Sequence, residues 1–244
     1  MISFVIPAYD EEPWIAGTLD AIHAAAARVG EPYEVVVADD GSNDRTAHLA
    51  AEHGARLVQV CRRQIAATRN AGARASRGDR LVFVDADTRI DAALLTAALA
   101  ALESGAIGGG AAIRFDGRLP RYYGLLEPWL LWLQRTARFA GGCFLFCTRE
   151  AFERAGGFDE RMYGAEEIAM SQALKRLGRF VVLRQPVLTS GRKLRAYSGR
   201  DVLRVLGLLL SKGRRAVETR EGLEMWYEPR RADPEMERRE SASG

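Results

Sequence analysis

Continuous apolar runs that end in acids constrain the fold of this chain more than any other feature. "ISFVIP" runs into "AYDEE", "YEVVVA" into "DDGSND" and "RLVFV" into "DADT". A strand with one wet face alternates apolar and polar residues, whereas a strand covered on both faces is apolar throughout. These runs are of the second kind. Between them lie segments of helical periodicity. In "EEPWIAGTLDAIHAAAARVG", Ile15, Leu19, Ile22, Ala26 and Val29 share one face and Gly30 is the stop. "GSNDRTAHLAAEHG" gives a turn, a helix and a closing glycine, "RLVQV" a third strand, and "QIAATRNAGARASRG" and "DAALLTAALAALESG" two further helices. Strand and helix in alternation predict an α/β fold, with a mainly parallel central sheet and helices on both faces.

The second half is less regular. "GAIGGGAAIRF" reads as a strand softened by glycine, and the aromatic-rich segment from Pro120 to Phe139 as helical. "GGCFLFCTREAFERAGGFDERMYGAEEIAMSQALKRLGRFVVLRQP" reads as strand, helix, loop, helix and strand, and "DVLRVLGLLLSKGRRAV" as amphipathic. No repeat and no linker divides the chain. The expected organisation is one domain over residues 1–229, in two halves at about 1–110 and about 111–229, then a polar, disordered tail over 230–244.

Charge excludes one class of partner. Thirty-five basic residues against thirty-two acidic leave a formal charge of +3, too little to argue for nucleic acid, so any basic site must be local. Cys61, Cys143 and Cys147 lack metal-ligand spacing and read as free thiols of a reducing cytosol. "MISFVIPAYDEE" shows neither a basic n-region nor an apolar h-region, so no secretory signal is expected. The most apolar stretch, "GLLEPWLLWLQRTARFAGGCFLF", is broken by Glu127, Pro128, Arg135 and Arg138 and cannot cross a bilayer as one apolar helix. Peripheral contact with a membrane stays open, so the expected location is cytoplasmic, including the inner face of the membrane. His23, His48 and His53 lie on early helices and read as solvated.

Ligands of open α/β sheets bind at the carboxyl ends of the strands. Three such ends carry acids here, and carboxylates gathered on one edge repel each other unless a cation joins them. Hard oxygen ligands favour Mg²⁺ or Mn²⁺, with phosphate oxygens completing the coordination. Arginine is the other candidate cation, since Arg69 and Arg89 lie near in sequence. "VFVDADT" also fits the nucleophile motif of haloacid-dehalogenase-type phosphatases. That motif normally opens its domain, however, whereas strand–helix units precede it here, and the later lysine and second acidic pair have no match.

Taken in order, "VIPAYDEE", "VVADDGSNDRT", "TRNAGARASRGDRLVFVDAD" and "GGFDERMYGAEEIAMSQALKRLG" strongly resemble family-two glycosyltransferases of GT-A fold, over roughly residues 2 to 190. The resemblance implies a nucleotide-diphosphate sugar as donor and a divalent metal as cofactor, with a nucleotide-binding half at about 1–110 and an acceptor half at about 111–229. It implies that Pro7, Ala8 and Tyr9 hold the base, with Glu11 near the ribose and Asp40 accepting from a base N–H beside the turn at Gly41. Asp39 would be a helper at the strand end. Arg69 would approach the diphosphate or support the base pocket. Asp85, with Ala86 beside it, would bind ribose hydroxyls or water, and Asp87 would ligate the metal. Gly141 and Gly142 of "GGCFLF" would admit the sugar closely.

"GAEEIAM" resembles the family's GEDxxL stretch, in which an acid opening a helix deprotonates the acceptor. This chain has Glu166-Glu167 where Glu-Asp is usual. Glu167 aligns with the base and Glu166 with its neighbour, and the helix N-terminus would keep Glu167 ionised. Arg161 is a candidate partner for Glu166. Arg192 and Lys193 of "SGRKLR" either face the diphosphate or form a solvated basic surface. An aspartate beside an aromatic suits uracil, which puts a UDP-sugar ahead of GDP-mannose. Transfer to an acceptor hydroxyl, with inversion, is the leading expectation. The alternatives are transfer to a polyprenyl phosphate at a membrane surface and a non-catalytic sugar-nucleotide-binding protein.

Overall fold

Eight strands form a single twisted sheet in the structure, a computed structural model that describes residues 1–120, 123–124, 128–129, 132, 136, 139–197 and 217–219. The strands are β1 (Ile2–Ala8), β2 (Tyr33–Asp39), β3 (Arg56–Gln59), β4 (Arg80–Val84), β5 (Thr88–Arg89), β6 (Gly108–Phe115), β7 (Phe144–Thr148) and β8 (Phe180–Thr189). Their order across the sheet is β3-β2-β1-β4-β7-β6-β8-β5. β7 and β5 run against the others, which are parallel as expected. The helices are α1 (Glu12–Val29), α2 (Thr46–Glu52), α3 (Ile65–Ala75), α4 (Ala92–Glu103), α5 (Arg149–Ala155), α6 (Glu166–Leu177) and α7 (Arg192–Ala196).

Two cores follow from the period of two along a strand. Ile2, Phe4 and Ile6 of β1 point to one face, where Ile15, Leu19 and Ile22 of α1 and Leu94, Leu95 and Leu99 of α4 cover them. Val5 of β1, with Leu81 and Phe83 of β4, points to the other face, against Ala66 and Ala73 of α3, Phe152 of α5 and Met170 and Leu174 of α6. Burying a side chain of Leu, Ile or Phe size stabilises a fold by about 1.5–3 kcal/mol. A sheet covered on both sides therefore leaves only its strand ends for polar chemistry.

The expected fourth strand, "RLVFVDAD", stops at Val84 rather than Asp87. Asp85 N–H donates to the Cys143 carbonyl and Thr88 N–H to that of Asp85, closing a turn. The chain then re-enters the sheet as the two-residue β5, paired with Thr189 and Leu188 of β8. A carboxylate has no place between two apolar layers, so the aspartates leave the sheet where the cover ends. Thr18 of α1 pins this turn through its hydroxyl, which donates to the Ala86 carbonyl at 2.8 Å. The domain boundary at 229, the tail from 230, most of the Pro120–Phe139 segment and the amphipathic run from Asp201 lie outside the described residues. His23 departs from expectation: its ring is half-buried, bridging the Tyr33 hydroxyl and the His53 carbonyl at 2.8 Å each.

Candidate active site

β1 lies between β2 and β4, the point from which the chain winds outwards in both directions, and the carboxyl ends of these strands share one edge. At the end of β1, Pro7 and Ala8 are buried within the strand, and Tyr9 is the first half-buried residue beyond it. The Arg63 guanidinium sits over the Tyr9 ring, 3.2 Å from its centre. Sequence reading missed Arg63, although "CRRQ" follows β3 and the rule that ligands gather at strand ends points to it.

Asp40 departs from its expected role at a base. One oxygen accepts from Arg62 N–H at 2.5 Å and Arg63 N–H at 2.8 Å, the other from Gln64 N–H at 2.8 Å and the Thr68 hydroxyl at 2.9 Å. The carboxylate thus satisfies the N–H groups of the loop that leads into α3 and fixes the stretch carrying Arg63. Asp39 does the same for the β2 turn, accepting from the Ser42 hydroxyl at 2.5 Å and its N–H at 3.3 Å. Gly41 takes the left-handed turn with φ at 78°.

Asp85 and Asp87, separated by the buried Ala86, meet two different arginines. Arg69, in α3, is 1% exposed. Its Nη2 donates to Asp85 Oδ1 at 2.8 Å and to the Gly142 carbonyl at 2.7 Å, and its Nη1 donates to Glu166 Oε1 at 2.5 Å. Burial alone would lower the guanidinium's pKa, but Asp85 and Glu166 outweigh it and hold Arg69 charged. Arg69 is therefore an internal bridge between the DAD turn and α6, not a residue facing a diphosphate. Its depth, on the α3 face against β1, carries it beneath the edge.

Asp87 belongs to a second cluster. One Nη2 of Arg192 lies 2.8 Å from Glu11 Oε1 and 2.9 Å from Asp87 Oδ2, with the three side chains 13%, 8% and 12% exposed. The expectation of a solvated basic surface fails for Arg192, while Lys193 is exposed. Ser190 N–H donates to the Asp87 carbonyl at 3.1 Å, so the chain after β8 closes over the DAD turn.

On the acceptor side, Glu166 turns inward to Arg69, and Arg161 pairs with Asp159 at 2.8 Å instead. Glu167, one position on, points towards the Gly141–Gly142 bend. A Cβ on Gly142 would lie 3.2 Å from Glu167 Oε1, so glycine is what allows this approach. The expectation of an ionised Glu167 is overturned. Burial, followed by the charge of Glu166, pushes its pKa up to about 8. The N-cap, Ala165, offers no side chain to the first turn, and the helix N-terminus does not offset the lost water.

The family's metal can be tested against these residues. Asp87 supplies hard oxygen at the mouth, and one carboxylate completed by phosphate oxygens suits Mg²⁺ or Mn²⁺. Among the described residues no group of three or more His, Cys, Asp or Glu side chains forms a cage of its own. The donor set fits a metal whose coordination a diphosphate completes.

A mainly parallel sheet with paired aspartates at its switch point and a glutamate pair opening a facing helix is a GT-A domain. The sequence model of glycosyl transferase family 2 matches residues 3–156, and the chain belongs to that family. A solved mannosyltransferase, PcManGT from Pyrobaculum calidifontis in complex with GDP-Man and Mn²⁺, superposes with a TM-score of 0.65 at 20% identity, covering 99% of this chain and 68% of that one. TarS from S. aureus in complex with UDP-GlcNAc gives 0.62 at 19% identity, over 85% and 66%. An undecaprenyl-phosphate 4-deoxy-4-formamido-L-arabinose transferase of Pseudomonas aeruginosa (strain LESB58) is 41% identical over 99 residues, 36% of this chain and 28% of that protein. Its counterpart in Pectobacterium atrosepticum is 43% identical over 51 residues, 21% and 16%. The matches thus span less than a third of those relatives.

Proposed function

We propose that this chain moves a sugar from a nucleotide diphosphate to an acceptor received at Glu167. The observation that carries this reading is the single buried guanidinium of Arg69, which ties Asp85 to Glu166 and so holds a donor edge and an acceptor helix at one fixed distance. The base would lie along Tyr9, within the loops held by Asp39 and Asp40, with Glu11 and Asp85 towards the ribose. Asp87 would hold Mg²⁺ or Mn²⁺, which when bound supplies positive charge to the departing diphosphate. Arg192, beside Asp87, would take up phosphate oxygens. Glu167 would receive the proton of an acceptor hydroxyl. A pKa raised towards the working range suits that task.

A second reading of the acceptor is a polyprenyl phosphate at a membrane surface. The names of the partial relatives favour it, as do Trp129 and Trp132, which are 56% and 60% exposed and of the residue type that seats at a membrane interface. Among the described residues no helix is long and apolar enough to cross a membrane, so contact would be peripheral, from the inner face.

Two measurements test the donor site and the acceptor pocket. UDP or GDP with Mn²⁺ should raise the melting temperature more than the nucleotide with EDTA, by ligand linkage. Asp87→Ala should remove only the metal-dependent part; equal shifts with and without metal would end the assignment. Gly142→Ala should displace the Glu167 carboxylate by a few tenths of an ångström. Turnover should then fall about ten-fold, short of the ~10²-fold that a full ångström costs, with UDP affinity unchanged.

A further inference from the structure

Glu11 and Asp87 already share a cation, and it belongs to the protein. We infer that the Arg192 guanidinium and the divalent ion exclude each other at Asp87, so the ion enters only with a nucleotide diphosphate that draws Arg192 away. This rests on the reading of Asp87 as the ion's ligand.

The geometry sets the competition. One Nη2 group bridges Glu11 Oε1 at 2.8 Å and Asp87 Oδ2 at 2.9 Å, so an ion binding that carboxylate oxygen would sit against a positive charge. An arginine guanidinium stays charged in proteins. It cannot yield by losing a proton. It must move, and water alone gives it poor reason to leave two carboxylates. A diphosphate changes the balance. Its oxygens match the planar fork of arginine, while its charge offsets the ion's arrival. The exchange is even: Arg192 passes from carboxylate to phosphate as the ion takes the carboxylate.

The surrounding backbone limits the movement to the side chain. Ser190 N–H holds the Asp87 carbonyl at 3.1 Å, Gly191 N–H holds Asp116 Oδ1 at 2.8 Å, and Arg195 grips the Asp116 carbonyl at 2.8 Å. The residues on both sides of Arg192 therefore stay pinned as its side chain turns. The Trp14 ring, 5.6 Å from the guanidinium carbon, offers an aromatic face beside its path.

Mn²⁺ binding followed by electron paramagnetic resonance tests this without any turnover. For the wild type, Mn²⁺ alone should bind weakly and UDP should tighten it at least ten-fold, within the usual range of site-to-site coupling. In Arg192→Gln, Mn²⁺ alone should bind about ten-fold tighter than to the wild type, and the tightening by UDP should shrink. Arg192→Lys, which keeps the charge, should stay close to the wild type. Near-ultraviolet circular dichroism checks that each variant is folded; should Arg192→Gln not fold, the wild-type comparison decides alone. Wild-type affinity for Mn²⁺ that is equal with and without UDP overturns the proposal, as does an Arg192→Gln affinity no higher than that of the wild type. If neither protein binds Mn²⁺ even with UDP and GDP present, the reading of Asp87 itself has failed.

Discussion

Replacing Glu167 by glutamine is expected to cut transfer to a hydroxyl acceptor by roughly 10²–10⁴-fold, the usual worth of a general base. UDP affinity should not change, because Glu167 faces the Gly141–Gly142 bend rather than the base pocket. Since burial and Glu166 push the Glu167 pKa up to about 8, kcat/KM should rise with pH and level off above that value. A polyprenyl phosphate acceptor reverses both signs. Its attacking oxygen is already ionised, and a neutral carboxyl or an amide can donate a hydrogen bond to it. Glu167→Gln would then keep transferring, and wild-type activity would fall above about 8. Normal transfer by Glu167→Gln with loss in Glu166→Gln, on a hydroxyl acceptor, would exchange the two residues' roles.

The same shift has a stability signature. A carboxyl whose folded pKa lies above its ordinary 4.5 favours the fold while neutral, so its contribution is complete below about 4.5 and lost as pH rises through about 8. Across that window the wild type should lose melting temperature relative to Glu167→Gln. Parallel curves would show that Glu167 is not shifted.

The second large effect is structural. Arg69→Met should destabilise the protein by roughly 3–5 kcal/mol, because it strands Glu166 as an uncompensated buried charge and takes the partner of the part-exposed Asp85. Removing the exposed Arg154–Glu150 pair should be almost neutral by comparison. Urea unfolding measures both. Adding Asp85→Asn and Glu166→Gln to Arg69→Met should recover much of the loss, since the penalty lies in the leftover charge. A loss under about 1 kcal/mol for Arg69→Met alone would mean that water reaches the bridge.

Much of this was legible in the chain. Continuous apolar runs identify β1, β2 and β4 as doubly covered strands, and the acids that end them mark the edge where the site lies. The order of four motifs identifies the family. What the sequence leaves open is direction and depth. Nothing in "TRNAG" says that Arg69 dives under the edge instead of rising to it; that follows from α3 packing against β1. Asp40 looks free in "DDGSND", because the N–H groups it satisfies come from residues 62–64, beyond another strand. The charge state of Glu167 depends on Glu166 and on packing around Gly142, which no local pattern encodes. Only two residues of separation signal that Asp85 and Asp87 sit together, and none that each meets its own arginine.

The Glu11–Arg192 contact joins residues 181 positions apart, and the Thr88–Thr189 contact joins residues 101 apart. During synthesis from the N-terminus the first strand–helix units can assemble early, since their contacts are local. The edge they form carries Glu11 and Asp87 before Arg192, which bridges them, has emerged and before β8 has been laid beside β6. A nascent chain halted before residue 180 thus has most of its sheet but an edge without the Glu11–Arg192–Asp87 bridge. The mouth at Glu11 and Asp87 therefore closes only after β8, the last described strand to be made, has joined the sheet.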